Sequence, residues 1–325
     1  MSHQIEKMAY VGATPWHKLG SQLQTAQPIE IWAKHAGMDW SICEAPVRYT
    51  TDIEDSPESL RSVNDQKVLF RSDTKAALSV VGSRYKVVQP QAVLEFYRDL
   101  VEISGFELET AGVLKGGRKF WALARTGKST TIKGSDVVNG YILLASSCDG
   151  TLATVATPTT IRVVCNNTLA IALGSTNESI KVPHSTTFDA HAVKMRLGIA
   201  VSRWDDFMYQ MKALSRRCVK SHEAKNYFLR VMCPPVLAAP STSAESNVAN
   251  ERALKAVQAL YDGQGRGAEL ASAQGTAWGL LNAVTEYVDH ARRARSQEHR
   301  LDSAWFGQGA GLKQRALEHA LQLVS

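Results

Sequence analysis

Hydrophobic and polar positions alternate from about residue 40 to residue 90, in the runs "WSICEAPVRYT", "QKVLFRSD" and "AALSVVGSRYKVVQP". A period of two, broken by Asp, Asn, Gly and Pro, predicts short strands. Just before them, "QPIEIWAKHAGMDW" predicts a short helix carrying Ile31, Trp32 and His35 and ending at Gly37. "PQAVLEFYRDLVEIS" (90–104) changes period: Pro opens a helix, and Val93, Leu94, Tyr97, Leu100 and Val101 form its apolar face. "FELETAGVL" and "KFWALAR" then flank Lys115-Gly116-Gly117-Arg118, a hairpin signal. After a loop at 126–136, "VVNGYILLASSCDG" is a further strand ending in an Asp149-Gly150 turn. "TLATVATPTTIRVVCNNTLAIALG" continues the β pattern and turns helical near Asn167.

The pattern shifts again at about 188. "FDAHAVKMRLGIAVSRWDDFMYQMKALSRR" predicts one long helix with a seam of Leu197, Val201, Trp204, Met208 and Met211. "CPPVLAAPSTSAESN" (233–247) is the linker candidate, and 248–325 reads as helices. Within "TAWGLLNAVTEYVDHARRAR", Ala277, Leu280, Leu281, Val284, Val288 and Ala291 form the apolar face; Asn282, Glu286, Asp289 and Arg293 form the polar side. The expected fold is α+β: a twisted antiparallel β-meander with helices packed on one face, plus a helical C-terminal region. The expected divisions are an N-terminal segment 1–39, a core 40–232, the linker 233–247 and the helical region 248–325.

Composition narrows the class. The 325 residues are 44% hydrophobic and 21% charged, as in a globular protein that buries a real core. No apolar run approaches a membrane span, and the first twenty residues lack the pattern of a secretion signal. Five scattered cysteines (Cys43, Cys148, Cys165, Cys218, Cys233) without a C-x-x-C pair suggest reduced thiols in the cytoplasm and no zinc site. A net charge of +6 is compatible with a polyanionic partner.

The motif "ALARTGKSTT" (122–131) ends like a phosphate-binding loop, but Ala122 stands where G-x-x-x-x-G-K-[ST] requires glycine. "TTIKGSD" after it does not supply the helix whose amides would face a phosphate. Lys128 and Lys133 are therefore assigned to an exposed basic loop, with Arg125 on the strand beside it and Lys115, Arg118 and Lys119 at the preceding turn. Arg48, Arg71, Arg84 and Lys86 lie on or near earlier strands, with Tyr49, Tyr85 and Trp121 interleaved. Two readings stand. Cations that track phosphates and rings that accept unstacked bases suit single-stranded nucleic acid; alternatively these are solvated strand faces and core aromatics. Histidine spacings match no metal motif, Glu286 and His290 form an i,i+4 helix pair, and "HARRARSQEHR" (290–300) is a basic helix face. In "VVCNNTL" (163–169), Asn166 or Asn167 is expected to cap a helix.

Three stretches carry a resemblance: "MSHQIEKMAYVGATPWHKLG", "CDGTLATVATPTTIRVVCNNTLAIAL", and "GTAWGLLNAVTEYVDHARRAR" together with "RLDSAWFGQGAGLKQRALE". They resemble a family of phage/plasmid-like proteins built around a domain of unknown function, which implies a mobile-element origin and supplies no catalytic residue set. A looser, architectural resemblance is to the RecT/Redβ superfamily of single-strand annealing proteins, which form rings or filaments and pair strands without ATP.

The expected function is therefore single-stranded DNA binding and annealing by a non-enzymatic, cytoplasmic homo-oligomer without cofactor or metal. Backbone contacts are assigned to Arg118, Lys119, Lys128, Lys133 and Arg162, with Arg125, Arg84 and Lys86 beside them. Trp121 and Tyr85 are assigned to base stacking. Two alternatives remain: a Mg²⁺-dependent nucleic-acid enzyme using Asp136 and Asp149, or an anti-defence factor binding a host protein through helix 188–217.

Overall fold

The computed structural model describes residues 7–12, 20–50, 60–173, 176–177, 179–233 and 244–324. The linker expected at 233–247 falls largely outside them, as does the side chain of Val201. The fold is α+β, with antiparallel sheets and a helical C-terminal region.

The chain divides into two compact units, one of residues 1–126, 142–157 and 179–197, the other of 127–141, 158–178 and 198–325. The division passes through the three longest strands of the second half of the meander, β7 (Lys119–Thr131), β8 (Val137–Ser147) and β9 (Thr154–Arg162). With β1 (Met8–Val11), β2 (Ser21–Leu23), β6 (Glu107–Leu114) and β10 (Asn167–Ala170) they form a sheet ordered β10-β9-β8-β7-β6-β1-β2, and β13 (Ile180–Val182) pairs with β9. Pairing is antiparallel in β6–β7, and the terminal β1–β2 pair is parallel.

In the first unit, β3 (Ile42–Thr50), β4 (Leu60–Arg71) and β5 (Ala77–Gly82) make a separate three-stranded antiparallel sheet, with a bulge at Pro46/Val47. Helix α1 (Ile29–His35) ends just before Gly37, whose φ of +70° is the left-handed conformation glycine adopts without steric cost. Helix α2 (Pro90–Ser104) starts at its proline and is closed by left-handed Gly105. It buries Val93, Leu94, Phe96 and Tyr97, and the Tyr97 hydroxyl lies 2.9 Å from the Ala122 carbonyl and 3.0 Å from that of Ile142. Val101, assigned above to the apolar face, is exposed.

The expected 126–136 loop is shorter than its composition suggests. Gly127 through Thr131 continue β7, with Gly127 at φ +75°, instead of opening a helix, and the turn is confined to 132–136. Asn167 starts β10, where a helix was expected, because Asn166 turns the chain at φ +54° and the following residues pair back onto β9. The long helix is two: α3 (Ala190–Ser202) and α4 (Trp204–Arg216), separated at Arg203. The expected seam is buried at Leu197, Trp204, Met208 and Met211.

The second unit also holds the small pair β11 (Ala172–Leu173) and β12 (Thr176–Asn177), then α5 (Ser221–Met232), α6 (Ala244–Ala259), α7 (Ala277–Glu286), α8 (Gln297–Phe306) and α9 (Gln308–Leu321). Its core gathers Phe207, Met211, Phe228, Leu280, Val284 and Leu317. Burying side chains of this size contributes about 1.5–3 kcal/mol each, an upper estimate. Among the described residues, no helix is long and apolar enough to cross a membrane.

Candidate nucleic-acid interface

In the first unit, two turns meet at one end of the large sheet. The β6–β7 turn is built from Lys115, Gly116 and Gly117, all at positive φ. Gly117 is sterically required: a Cβ there would stand 2.9 Å from the Trp40 ring. The same Trp40 face carries the Arg71 guanidinium 4.2 Å from its centroid, and Arg71 donates to both carboxylate oxygens of Asp73 at 2.9 and 2.7 Å. That bidentate ion pair holds the Asp73 carboxyl well below the usual range. Arg71 is thus buried and neutralised, whereas Arg48 and Tyr49 lie exposed on β3.

The β8–β9 turn docks against this one. The Cys148 amide donates to the Arg118 carbonyl at 2.9 Å, and the Ser79 hydroxyl donates to the Cys148 carbonyl. Asp149 closes the turn by accepting from the Thr151 amide at 3.0 Å and hydroxyl at 2.6 Å, with Gly150 at φ +74°. The Tyr85 hydroxyl donates to the Ser147 carbonyl at 2.9 Å, and its ring stacks on His184 with centroids 4.4 Å apart. The His184 ring nitrogens lie 3.0 Å from the Lys86 carbonyl and 3.1 Å from that of Leu152. Burial pushes the Cys148 thiol up to about 12, so it is protonated and unreactive at neutral pH.

These contacts bring two distant stretches of chain to one turn: 84–86 through the Tyr85 hydroxyl and 118 through its backbone carbonyl. Arg84, Lys86 and Arg118 are exposed, and Tyr85 is half-buried. Lys119 and Trp121 are buried in β7; Trp121 is wholly enclosed and offers no ring face to a base. Arg125 is half-exposed farther along the strand.

In the second unit, Lys128 and Lys133 are exposed on the β7–β8 hairpin. Arg162 has the opposite placement. It is buried and donates through Nε and Nη2 to Asp136 at 2.8 and 2.9 Å, with Nη2 also reaching the Gly267 carbonyl at 3.1 Å. Asp136 accepts two further bonds, from the Ser272 hydroxyl at 2.6 Å and the Trp278 indole at 2.9 Å. Four donors fill this carboxylate, leaving little capacity for a cation. The charge of Arg162 is spent inside the protein, where desolvation and an existing partner exclude a phosphate contact.

A second buried assembly explains the paired asparagines. Asn167 caps nothing: its amide donates to the Thr285 hydroxyl at 3.1 Å, and its carbonyl lies 3.1 Å from His290 Nε2. Asp289 accepts from the Thr168 amide at 2.7 Å and from Lys313 at 2.8 Å. Glu286 does not pair with His290; both its oxygens take the Arg266 amide, at 3.1 and 3.0 Å. The expected polar side of this helix is therefore interior at Asn282, Glu286 and Asp289. The one sequence signal for this was a lone arginine inside the apolar run "TTIRVV", since a charge in a buried strand requires a buried partner.

The architecture is α+β, and the sequence match defines the family. The chain belongs to the family of the domain of unknown function DUF932, whose family model matches residues 77–305. No curated protein and no solved structure matches the chain.

Proposed function

We propose that this protein binds single-stranded DNA and promotes annealing of complementary strands in the recombination of a phage or plasmid, working as a cytoplasmic homo-oligomer without nucleotide hydrolysis. The observation that carries the reading is that the stretch with exposed Arg84 and Lys86 and the turn residue Arg118, also exposed, both border the β8–β9 turn, through the Tyr85 hydroxyl and the Arg118 carbonyl. Cations on a sheet end hold a phosphate backbone and leave base edges open, so a second strand can test pairing. Annealing needs no fuel because duplex formation is downhill. The likeness to phage/plasmid-like and RecT/Redβ proteins supports the same reading. Lys128 and Lys133 supply further phosphate contacts, and Lys119, Trp121 and Arg162 are left to structural roles because they are buried.

Fluorescence anisotropy with labelled single-stranded and duplex DNA tests it. The wild-type chain binds the single strand preferentially, and binding weakens as salt rises. Replacing Arg84, Lys86 and Arg118 together by Ala weakens binding at least about tenfold. It also lowers the slope of log K against log salt by about 2, since each single-strand phosphate contact contributes roughly 0.7. No binding at low salt, or an unchanged slope, removes the proposal. The interaction-protein reading keeps one observation of its own: Tyr209 on α4 is 72% exposed and Leu229 on α5 is 47% exposed. It predicts no DNA affinity in the same titration.

A further inference from the structure

A second cationic surface lies in the second unit, built from three stretches of chain. The basic run 290–300 is not the single helix face its composition suggests. The π-turn Tyr287–Ala291 ends inside it, residues 292–296 cross over, and α8 begins at Gln297. The Arg292 amide donates to the Tyr287 carbonyl at 2.6 Å and the Arg300 guanidinium to the His290 carbonyl at 2.7 Å, so both ends of this short crossing are pinned. Arg292, Arg293, Arg295 and Arg300 therefore share one compact loop, with Arg293 and Arg295 exposed and the other two half-buried.

The tip of the β9–β10 hairpin borders this loop. His290 Nε2 lies 2.9 Å from the carbonyl of Cys165, which follows the exposed pair Val163 and Val164, 50% and 41% accessible. A Cβ on Gly267 would stand 2.8 Å from the Val164 side chain, so the stretch with exposed Arg266 lies against the same tip. Burial lowers the pKa of His290, and Arg266 and Arg300 push the same way against Asp289, so both guanidinium groups stand near a ring that is neutral at pH 7. Arg292 and Arg300 are held by neutral oxygens, the Gln308 side chain at 3.0 Å and the His290 carbonyl, which leaves their charge uncancelled. The nearby acids are mostly committed: Asp136 to Arg162, Asp289 to Lys313, and Glu286 to the Arg266 amide. Exposed Glu269 and half-buried Glu298 and Asp302 stand against five arginines, so the face is cationic.

We propose that this face binds duplex DNA, with the arginines on the phosphate rows and the Val163–Val164 tip against the minor groove between them. Guanidinium groups take phosphate oxygens in a planar fork, and five of them spread over a loop and a turn are more than one small anion can use. The stretches 163–166, 266–267 and 290–300 contain no Phe, Tyr or Trp, so they offer no platform to the unstacked bases of a single strand. A duplex needs none: its backbone is held by charge, and an apolar tip flanked by arginines fits the minor groove. The face shares no residue with the strand contacts proposed at the β8–β9 turn and stands independently of that reading.

Fluorescence anisotropy of the full chain with a labelled blunt duplex of about 20 base pairs, two helical turns, tests the face. The wild type binds the duplex saturably at low salt. Arg293→Ala with Arg295→Ala, both at exposed positions where folding is retained, weakens it at least about tenfold and lowers the slope of log K against log salt by about 1.8, at roughly 0.9 per duplex phosphate. Val163→Ser with Val164→Ser weakens it at an unchanged slope, because the valines carry no charge. Replacing Arg84, Lys86 and Arg118 by Ala leaves duplex affinity unchanged. A wild type that binds duplex and loses it with the arginine pair, yet binds no single strand, removes the annealing reading and upholds this surface. Absence of duplex binding, or a duplex affinity and slope unmoved by the arginine pair, overturns the proposal. So does co-sedimentation with phosphatidylserine vesicles that is lost with the valine pair while duplex binding is not, since the face is then a lipid contact.

Discussion

Arg162 and Lys128 are both cations of the second unit, and burial separates their roles. Lys128 is exposed at a hairpin, while Arg162 sits 3% exposed in a fork against Asp136. Removing one member of such a pair leaves the other charge buried and uncompensated, at a cost of about 3–5 kcal/mol. Arg162→Ala is therefore expected to lower the unfolding free energy by about that amount, read as a strong drop in the urea midpoint at unchanged slope. The double variant Arg162→Met with Asp136→Leu is expected to recover part of the loss, because no bare charge remains. Equal loss in the single and double variants would show that packing at Arg162, and not the ion pair, carries the effect. Neither residue's partner was legible in the sequence, since β8, the turn after it and the rest of β9 separate Asp136 from Arg162, and only folding sets them 2.8 Å apart.

At the scale of elements, α7 and the π-turn at Tyr287–Ala291 that follows it show where periodicity stops being informative. The apolar face was readable, and Ala277, Leu280, Leu281, Val284 and Val288 are buried as expected. The opposite side is buried too, because β10 packs on it and the polar groups there answer Asn167 and Thr168. A helical pattern marks one buried face; it does not report a second layer that arrives from elsewhere in the chain. Glu286 pays the consequence: burial raises its pKa above the ordinary carboxylate value. A group whose pKa is raised on folding contributes stability that is fully present below its unfolded pKa and is lost as pH rises through the folded one. Glu286→Gln, which keeps an acceptor for the Arg266 amide without the charge, is therefore expected to gain stability relative to wild type as pH rises from about 4.5 towards neutrality. Urea denaturation across that range checks it, and a difference independent of pH would place the ionised form at no cost.

For the whole molecule, annealing requires many subunits to hold a strand in register, so the proposed function carries an expected mass. Light scattering behind a sizing column should give a multiple of the 35.6 kDa chain, and a strict monomer at working concentration removes the annealing reading while leaving simple strand binding. The amino-acid sequence by itself determined the α+β class, the positions of α1 and α2, the tight turns at Gly117 and Gly150, and the absence of a phosphate-binding loop. These depend on local periodicity, on positive φ and on spacing, which neighbouring residues impose. Only the tertiary structure decided which basic residues face solvent. It brought the Tyr85 hydroxyl and the Arg118 carbonyl to the β8–β9 turn, enclosed Trp121 and answered Arg162 with Asp136. Burial and partnership are set by chain segments tens of residues away, and no local pattern encodes them.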